Sequence, residues 1–197
     1  MNRYFYAFAL VILLLSACQP GTKKIPVTFQ SHKIGWAITI PDGYSIMSDD
    51  KINDMNAKGK AAIENVYDSA ITIDSLINLL TFSKDAFNML GSTIEPFREE
   101  YPGEYAENNK GIQQLIYETY KSQGIKADSS SGMETIAGVK FHAFYTTIYA
   151  PDGKVILNQI LYSTLRKGYD FGVHINYNKP EEKEMLLKAF RNSKFTP

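Results

Sequence analysis

An α+β fold, a central antiparallel sheet with helices on both faces, is predicted by three features of this 197-residue sequence. Residues 139–178 read as three strands joined by two tight turns. Earlier strand-like segments are separated by two long stretches of helical periodicity. The middle strand of the three is apolar on both sides, with Val155, Leu157 and Leu161 on one and Ile156, Ile160 and Tyr162 on the other. A strand of that kind needs cover on both faces of its sheet, so helices must pack above and below it.

The chain opens on a leader. Met1, Asn2 and Arg3 precede an apolar run from Tyr4 to Leu15, which is 12 residues long. A membrane helix needs about 20, so the run suits the h-region of a secretory signal peptide. Leu15-Ser16-Ala17-Cys18 then resembles the lipobox of bacterial lipoproteins and contains the one cysteine of the sequence. The resemblance implies that residues 1–17 are removed and that Cys18 carries diacylglycerol on its thiol and an acyl group on its new amino terminus. The alternative is an ordinary signal peptide with an incidental cysteine. Two or more acyl chains hold a protein stably on a membrane. Residues 18–29, which include Gln19-Pro20-Gly21, read as a tether, and residues 30–197 as one domain. No acidic cluster follows Cys18, and the expected location is the periplasmic face of a bacterial membrane.

Residues 33–47 form two strand pieces around Pro41-Asp42-Gly43, with Trp36, Ile38 and Ile40 alternating with small or polar residues. Ser48-Asp49-Asp50 starts a helix, and Ile52, Met55, Gly59, Ala62 and Val66 place one apolar stripe on residues 49–66. Residues 75–85 are a buried strand and 92–97 a short one. Ile112, Leu115, Ile116 and Tyr120 predict a helix over about 104–123, stopped by Gly124. Residues 128–132, Asp-Ser-Ser-Ser-Gly, read as a loop or an edge strand. In the meander, Pro151-Asp152-Gly153 and Arg166-Lys167-Gly168 are the turns. Asn178-Lys179-Pro180-Glu181-Glu182 then starts a terminal helix whose apolar face carries Leu186, Ala189 and Phe190. Residues 192–195 end it.

This layout resembles the PsbP-like domain, the α/β/α sandwich of the extrinsic photosystem II protein, of Ran-binding Mog proteins and of many bacterial lipoproteins. The residues that carry the likeness are Trp-Ala-Ile-Thr-Ile-Pro-Asp-Gly-Tyr at 36–44, Ile136-Ala137-Gly138 before a strand, Gln-Ile-Leu-Tyr-Ser at 159–163, Tyr-Asp-Phe-Gly-Val-His-Ile at 169–175 and the closing Ser193-Lys194-Phe195. It covers about residues 30–196. The insert at 98–124 is longer and more helical than the family layout. The resemblance implies protein binding or support of an assembly, and it supplies no shared catalytic motif.

Composition fits one globular domain on a tether: 44% apolar, 21% charged and 13% aromatic, the last favouring a sheet. The 21 basic and 21 acidic residues balance, and loss of Arg3 with the leader tips the mature chain slightly acidic. That balance argues against a nucleic-acid partner. With Cys18 lipidated, the domain has no thiol for a disulfide, redox centre or nucleophile. A domain of this size can bury enough surface without one.

No motif stands out as catalytic. His32, His142 and His174 lack metal-ligand spacing. Turns centred as above pair Phe144 with Leu161 and Leu161 with His174. His142 and His174 then share a sheet face at about 12 Å, too far apart for one metal ion. No metal or cofactor is therefore expected. The serines at 129–131 lack a glycine elbow, and no glycine-rich phosphate loop precedes a helix. Glu99, Glu100, Glu104 and Glu107 could supply an acid–base pair or bind calcium, but they lack the alternation of a calcium loop. Their simpler role is charge at a helix N-terminus. Tyr101, Tyr105 and Tyr117 exceed what the apolar stripe of that helix needs, and exposed tyrosine is enriched at binding surfaces. These three are the candidate contacts for another envelope protein and are expected to be at least partly exposed. The functional expectation is a non-catalytic binding or accessory lipoprotein of the envelope. The alternative is a carboxylate- or serine-dependent hydrolase.

Overall fold

The computed structural model describes residues 26–64 and 76–197. Cys18, the leader and most of the expected tether lie outside the described residues. The strands are β1 (Thr28–Ser31), β2 (Trp36–Thr39), β3 (Ser45–Ile46), β4 (Ile77–Ser83), β5 (Met89–Pro96), β6 (Ala127–Ile136), β7 (Val139–Tyr149), β8 (Val155–Arg166), β9 (Tyr169–Tyr177) and β10 (Lys194–Phe195). The helices are α1 (Asp49–Glu64), α2 (Glu104–Ser122) and α3 (Pro180–Arg191).

Seven strands build the main antiparallel sheet in the order β3-β4-β5-β9-β8-β7-β6. Three others form a small sheet, β1-β2-β10. The architecture is thus the expected α+β class. Two hairpins set its register. Ala137 and Gly138 between β6 and β7, and Lys167 and Gly168 between β8 and β9, all have positive φ, from 48 to 83°. Two such residues in succession give the turn whose twist matches that of the flanking strands. Phe144 therefore faces Leu161, and Leu161 faces His174, as the turn positions predict.

One face of the main sheet carries the core. Phe141, Tyr162, Phe171, Val173, Ile175 and Leu90 are fully buried there with Leu186 and Phe190 of α3. Trp36 closes one end, packed on Phe171 at 5.1 Å and on Phe29 at 5.9 Å between ring centroids. Each such side chain contributes about 1.5–3 kcal/mol by leaving water. Glu182, in the first turn of α3, is buried and accepts hydrogen bonds from the Tyr44 hydroxyl at 2.7 Å and the Lys84 ammonium at 2.5 Å. This ties the helix to the β4 side of the sheet. α2 lies on the opposite face, and α1 packs beside it.

The structure corrects several expectations. Thr28 and Phe29, placed in the tether, begin β1, because Phe29 has Trp36 to pack against. Of the two alternatives for the serine run at 129–131, loop or edge strand, the second holds, since it is part of the ten-residue edge strand β6. β5 starts at Met89, three residues earlier than predicted, and Lys194–Phe195 pairs with β2 as a strand. In α1 the predicted stripe is not an inward face: Ile52 is buried, but Met55 and Gly59 are exposed. The side chain of Ala62 and all of Val66 lie outside the described residues. In α2 the inward residues are Tyr105, Asn109 and Thr119, while Ile112 is exposed. On β8, Val155 and Ile156 are also exposed.

Candidate functional site

The face of the sheet under α2 is built differently from the core face. The first turns of α2 press Tyr105 and Asn109 onto β8 and β9. The Tyr105 hydroxyl donates to Asp170 Oδ1 at 2.7 Å, and the Ser163 hydroxyl donates to Asn109 Oδ1. Asn109 in turn donates to the Tyr105 carbonyl at 3.0 Å. The Tyr105 ring meets Phe97 and His142 edge-on, at 5.5 and 5.7 Å. Burial raises the Asp170 carboxyl above its usual range, opposed by the Tyr105 hydrogen bond and reinforced by the neighbouring Glu95. Burial also raises the Tyr105 hydroxyl, and the Asp170 charge adds to that.

Serine, histidine and carboxylate do meet here, since Ser163 pairs across strands with His142 and the Asp170 carboxylate lies close enough to feel the His142 charge. They do not form a relay. The Ser163 hydroxyl is directed to Asn109, the Asp170 carboxylate is engaged by Tyr105, and α2 covers both. A serine nucleophile needs its base in hydrogen-bond reach and an open side for substrate.

Further along the same face, between α1, α2 and the sheet, is a cavity of about 250 Å³. Its apolar wall includes Met55 of α1, Ile116 of α2, and Phe144 and Leu161 of the sheet. Its polar groups are Tyr120, Thr146, Gln159, His174 and Asn176. Tyr120 donates to Gln159 Oε1 at 2.5 Å, and Gln159 donates to Asn176 Oδ1 at 3.3 Å. The His174 ring occupies the space where a side chain at Gly91, its partner on β5, would stand. Burial holds this imidazole down to about 4, and no hydrogen bond reaches it from the described residues. It is therefore neutral near pH 7.

Three of the four carboxylates predicted near α2, those of Glu99, Glu104 and Glu107, bond at its start, and Glu100 contributes its backbone N–H. Glu99 accepts from the Tyr105 backbone N–H at 3.1 Å, Glu104 from the Glu100 N–H at 2.5 Å, and Glu107 from the Tyr101 hydroxyl at 2.9 Å. The three tyrosines divide. Tyr101 is 48% exposed, and Tyr117 is half-buried. Tyr105 is only 7% exposed; the expectation that it faces solvent fails because its side of the helix points at Asp170. Ser131 of the edge strand bonds Gln113 at 2.7 Å. The described residues hold no group of three or more side chains of metal-ligand type, and none of their helices is long and apolar enough to cross a membrane. Sequence reasoning missed Gly91 and Asp170. Gly91 fell just outside the strand predicted at 92–97, so it did not read as a glycine within a strand, the usual sign of close approach; Asp170 had no sign, because its burial depends on where α2 lands.

No family model matches the sequence, and no curated protein matches it. Solved structures do. The solution structure of cyanobacterial PsbP (CyanoP) from Synechocystis sp. PCC 6803 superposes with a TM-score of 0.58, covering 92% of this chain and 99% of that one at 10% identity. At that identity the likeness establishes the fold, and the fold is PsbP-like.

Proposed function

We propose that this chain is a lipid-anchored, non-catalytic binding or accessory module of a bacterial cell envelope, held on the periplasmic face of a membrane through Cys18. It meets another envelope protein on the outer side of α2. The observation that carries this reading is Tyr101. Its ring is half exposed while Glu107 already orients its hydroxyl. A preoriented aromatic loses little freedom on contact, and aromatic residues are enriched in interfaces. Tyr101 stands just before α2 and Tyr117 on it, and both belong to the proposed surface; Tyr105 does not, since it is spent on the interior. The hydrolase alternative has less support, because Glu99, Glu104, Glu107, Asp170, Ser131 and Ser163 are each bonded to neighbouring groups of the fold.

The test replaces Tyr101 and Tyr117 with alanine and follows melting temperature and partner recovery from envelope membranes in parallel. A true anchor should cost about 2 kcal/mol or more of binding with melting unchanged. Unchanged recovery would sink the surface. Fractionation of Cys18→Ser checks the anchor separately: processed protein still in the membrane fraction would refute it.

A further inference from the structure

We propose that the cavity between α1, α2 and the sheet is a binding site for a small, uncharged, largely apolar molecule with one hydrogen-bonding group, which His174 meets. This does not rest on the tyrosine surface outside α2.

Three observations lead to it. The first is size. A dry apolar cavity of about 150 Å³ already admits a benzene ring, and this one holds about 250 Å³, room for two fused rings or a short branched chain. The second is charge. Among the described residues no Asp, Glu, Lys or Arg lines the cavity, so an ionised ligand would meet no counter-charge from them and would enter at a large desolvation cost. The third is the state of its polar groups. Tyr120, Gln159 and Asn176 bond one another in a chain along the wall. His174 is the polar ring there that the described residues leave without a hydrogen bond. A neutral imidazole has one donor and one acceptor nitrogen, which suits a hydroxyl or an amide.

The ring is also held in place. The strand gives up a side chain at position 91 so that the imidazole can lie on its backbone; glycine inside a strand otherwise weakens it. Met55 lines the cavity and also reaches solvent, being 40% exposed. Its unbranched thioether adapts to what it touches.

Naphthol and naphthoate, which differ in the charge of one substituent at neutral pH, are suitable probes for the purified chain. Naphthol should bind saturably at one site, and naphthoate at least about tenfold more weakly, roughly the effect of 1.4 kcal/mol. Ile116→Trp, which places an indole in the cavity, should weaken naphthol by at least about tenfold while the chain stays folded. In the wild-type protein the imidazole NMR signals of His174 should shift on addition of naphthol while those of His32 stay fixed, a readout that does not depend on any variant folding. Failure of naphthol to saturate, equal binding of naphthoate, or unmoved His174 signals would each overturn the assignment.

Discussion

The two faces of the seven-stranded sheet are made of the same strands and do different work. Towards α3 the strands present Phe141, Tyr162, Phe171, Val173 and Ile175, all fully buried. Towards α2 the same strands present His142, Ser163, Asp170, His174 and Asn176, most of them only partly covered. α3 is pinned by three buried apolar residues and by Glu182. α1 has Ile52 buried and keeps most of its described surface in water. One face thus carries the stability of the domain. The other keeps hydrogen-bonding groups and an internal space that a close-packed core would have filled.

The largest expected effect breaks the first face. Phe141 touches four aromatic rings, of Tyr162, Phe171, Phe190 and Phe195, with centroids at 5.4–6.2 Å. Phe141→Ala should cost about 3–5 kcal/mol by lost transfer energy and cavity formation. Ile112→Ala, on the exposed side of α2, should stay within about 0.5 kcal/mol. Urea denaturation of both variants checks the contrast; equal losses would mean that the faces share the load.

A smaller effect is expected at the contact between Gly91 and His174. A Cβ at position 91 would come within 2.1 Å of the imidazole Cε1 and 2.3 Å of its Nε2, so Gly91→Ala should destabilise by about 1–3 kcal/mol. Because the clash is with one ring, adding His174→Ala should restore much of that loss. A double-mutant cycle measures the coupling, and simple additivity would show that the ring does not hold this position.

The smallest effects concern two carboxylates whose affinities for protons move in opposite directions. Glu182 is held below its ordinary value by the Lys84 hydrogen bond first and by Tyr44 second. Its folded form binds protons less readily than the unfolded chain. The stability it contributes is therefore present above the ordinary carboxylate value and is lost as pH falls through the depressed folded one. Glu182→Gln should cost about 1–2 kcal/mol at pH 7, kept modest because Lys84 is 43% exposed, and the difference from wild type should shrink in acid. Asp170 behaves the other way. Burial raises it, so its ionised form opposes folding, and acidification through its raised value relieves that strain. Asp170→Asn, which still offers Tyr105 an acceptor, should be neutral or stabilising by up to about 1 kcal/mol at pH 7. Denaturation curves at pH 7 and pH 4 separate the two signs.

Much of this was legible in the sequence where the physics is local. The hairpin between β8 and β9 could be read to the residue because Lys167-Gly168 allows a single tight turn and strand side chains alternate with period two. The limits of α2 and α3 followed from Gly124 and from Pro180 with its two glutamates. α1 shows the opposite case. Its apolar spacing is real, but spacing records only that a face exists, not that anything covers it. The edge strand β6 was half legible: its serines are poor strand formers, and pairing with all of β7 outweighed them.

The candidate site divides in the same way. Sequence alone determined the α+β class, the shared face of His142 and His174, and the surplus of tyrosine on α2, because each depends on residues near one another in the chain. Only the tertiary structure decided that Tyr105 points inward to Asp170 and Tyr101 outward, that Ser163 is claimed by Asn109, and that Gly91 makes room for His174. Those partners are separated by 54 to 83 positions, so their meeting depends on how α2 settles on the sheet and how β5 comes to lie beside β9. No local periodicity encodes that docking. It is set by the one arrangement that buries the aromatic face against α3 and leaves the polar face to the other two helices.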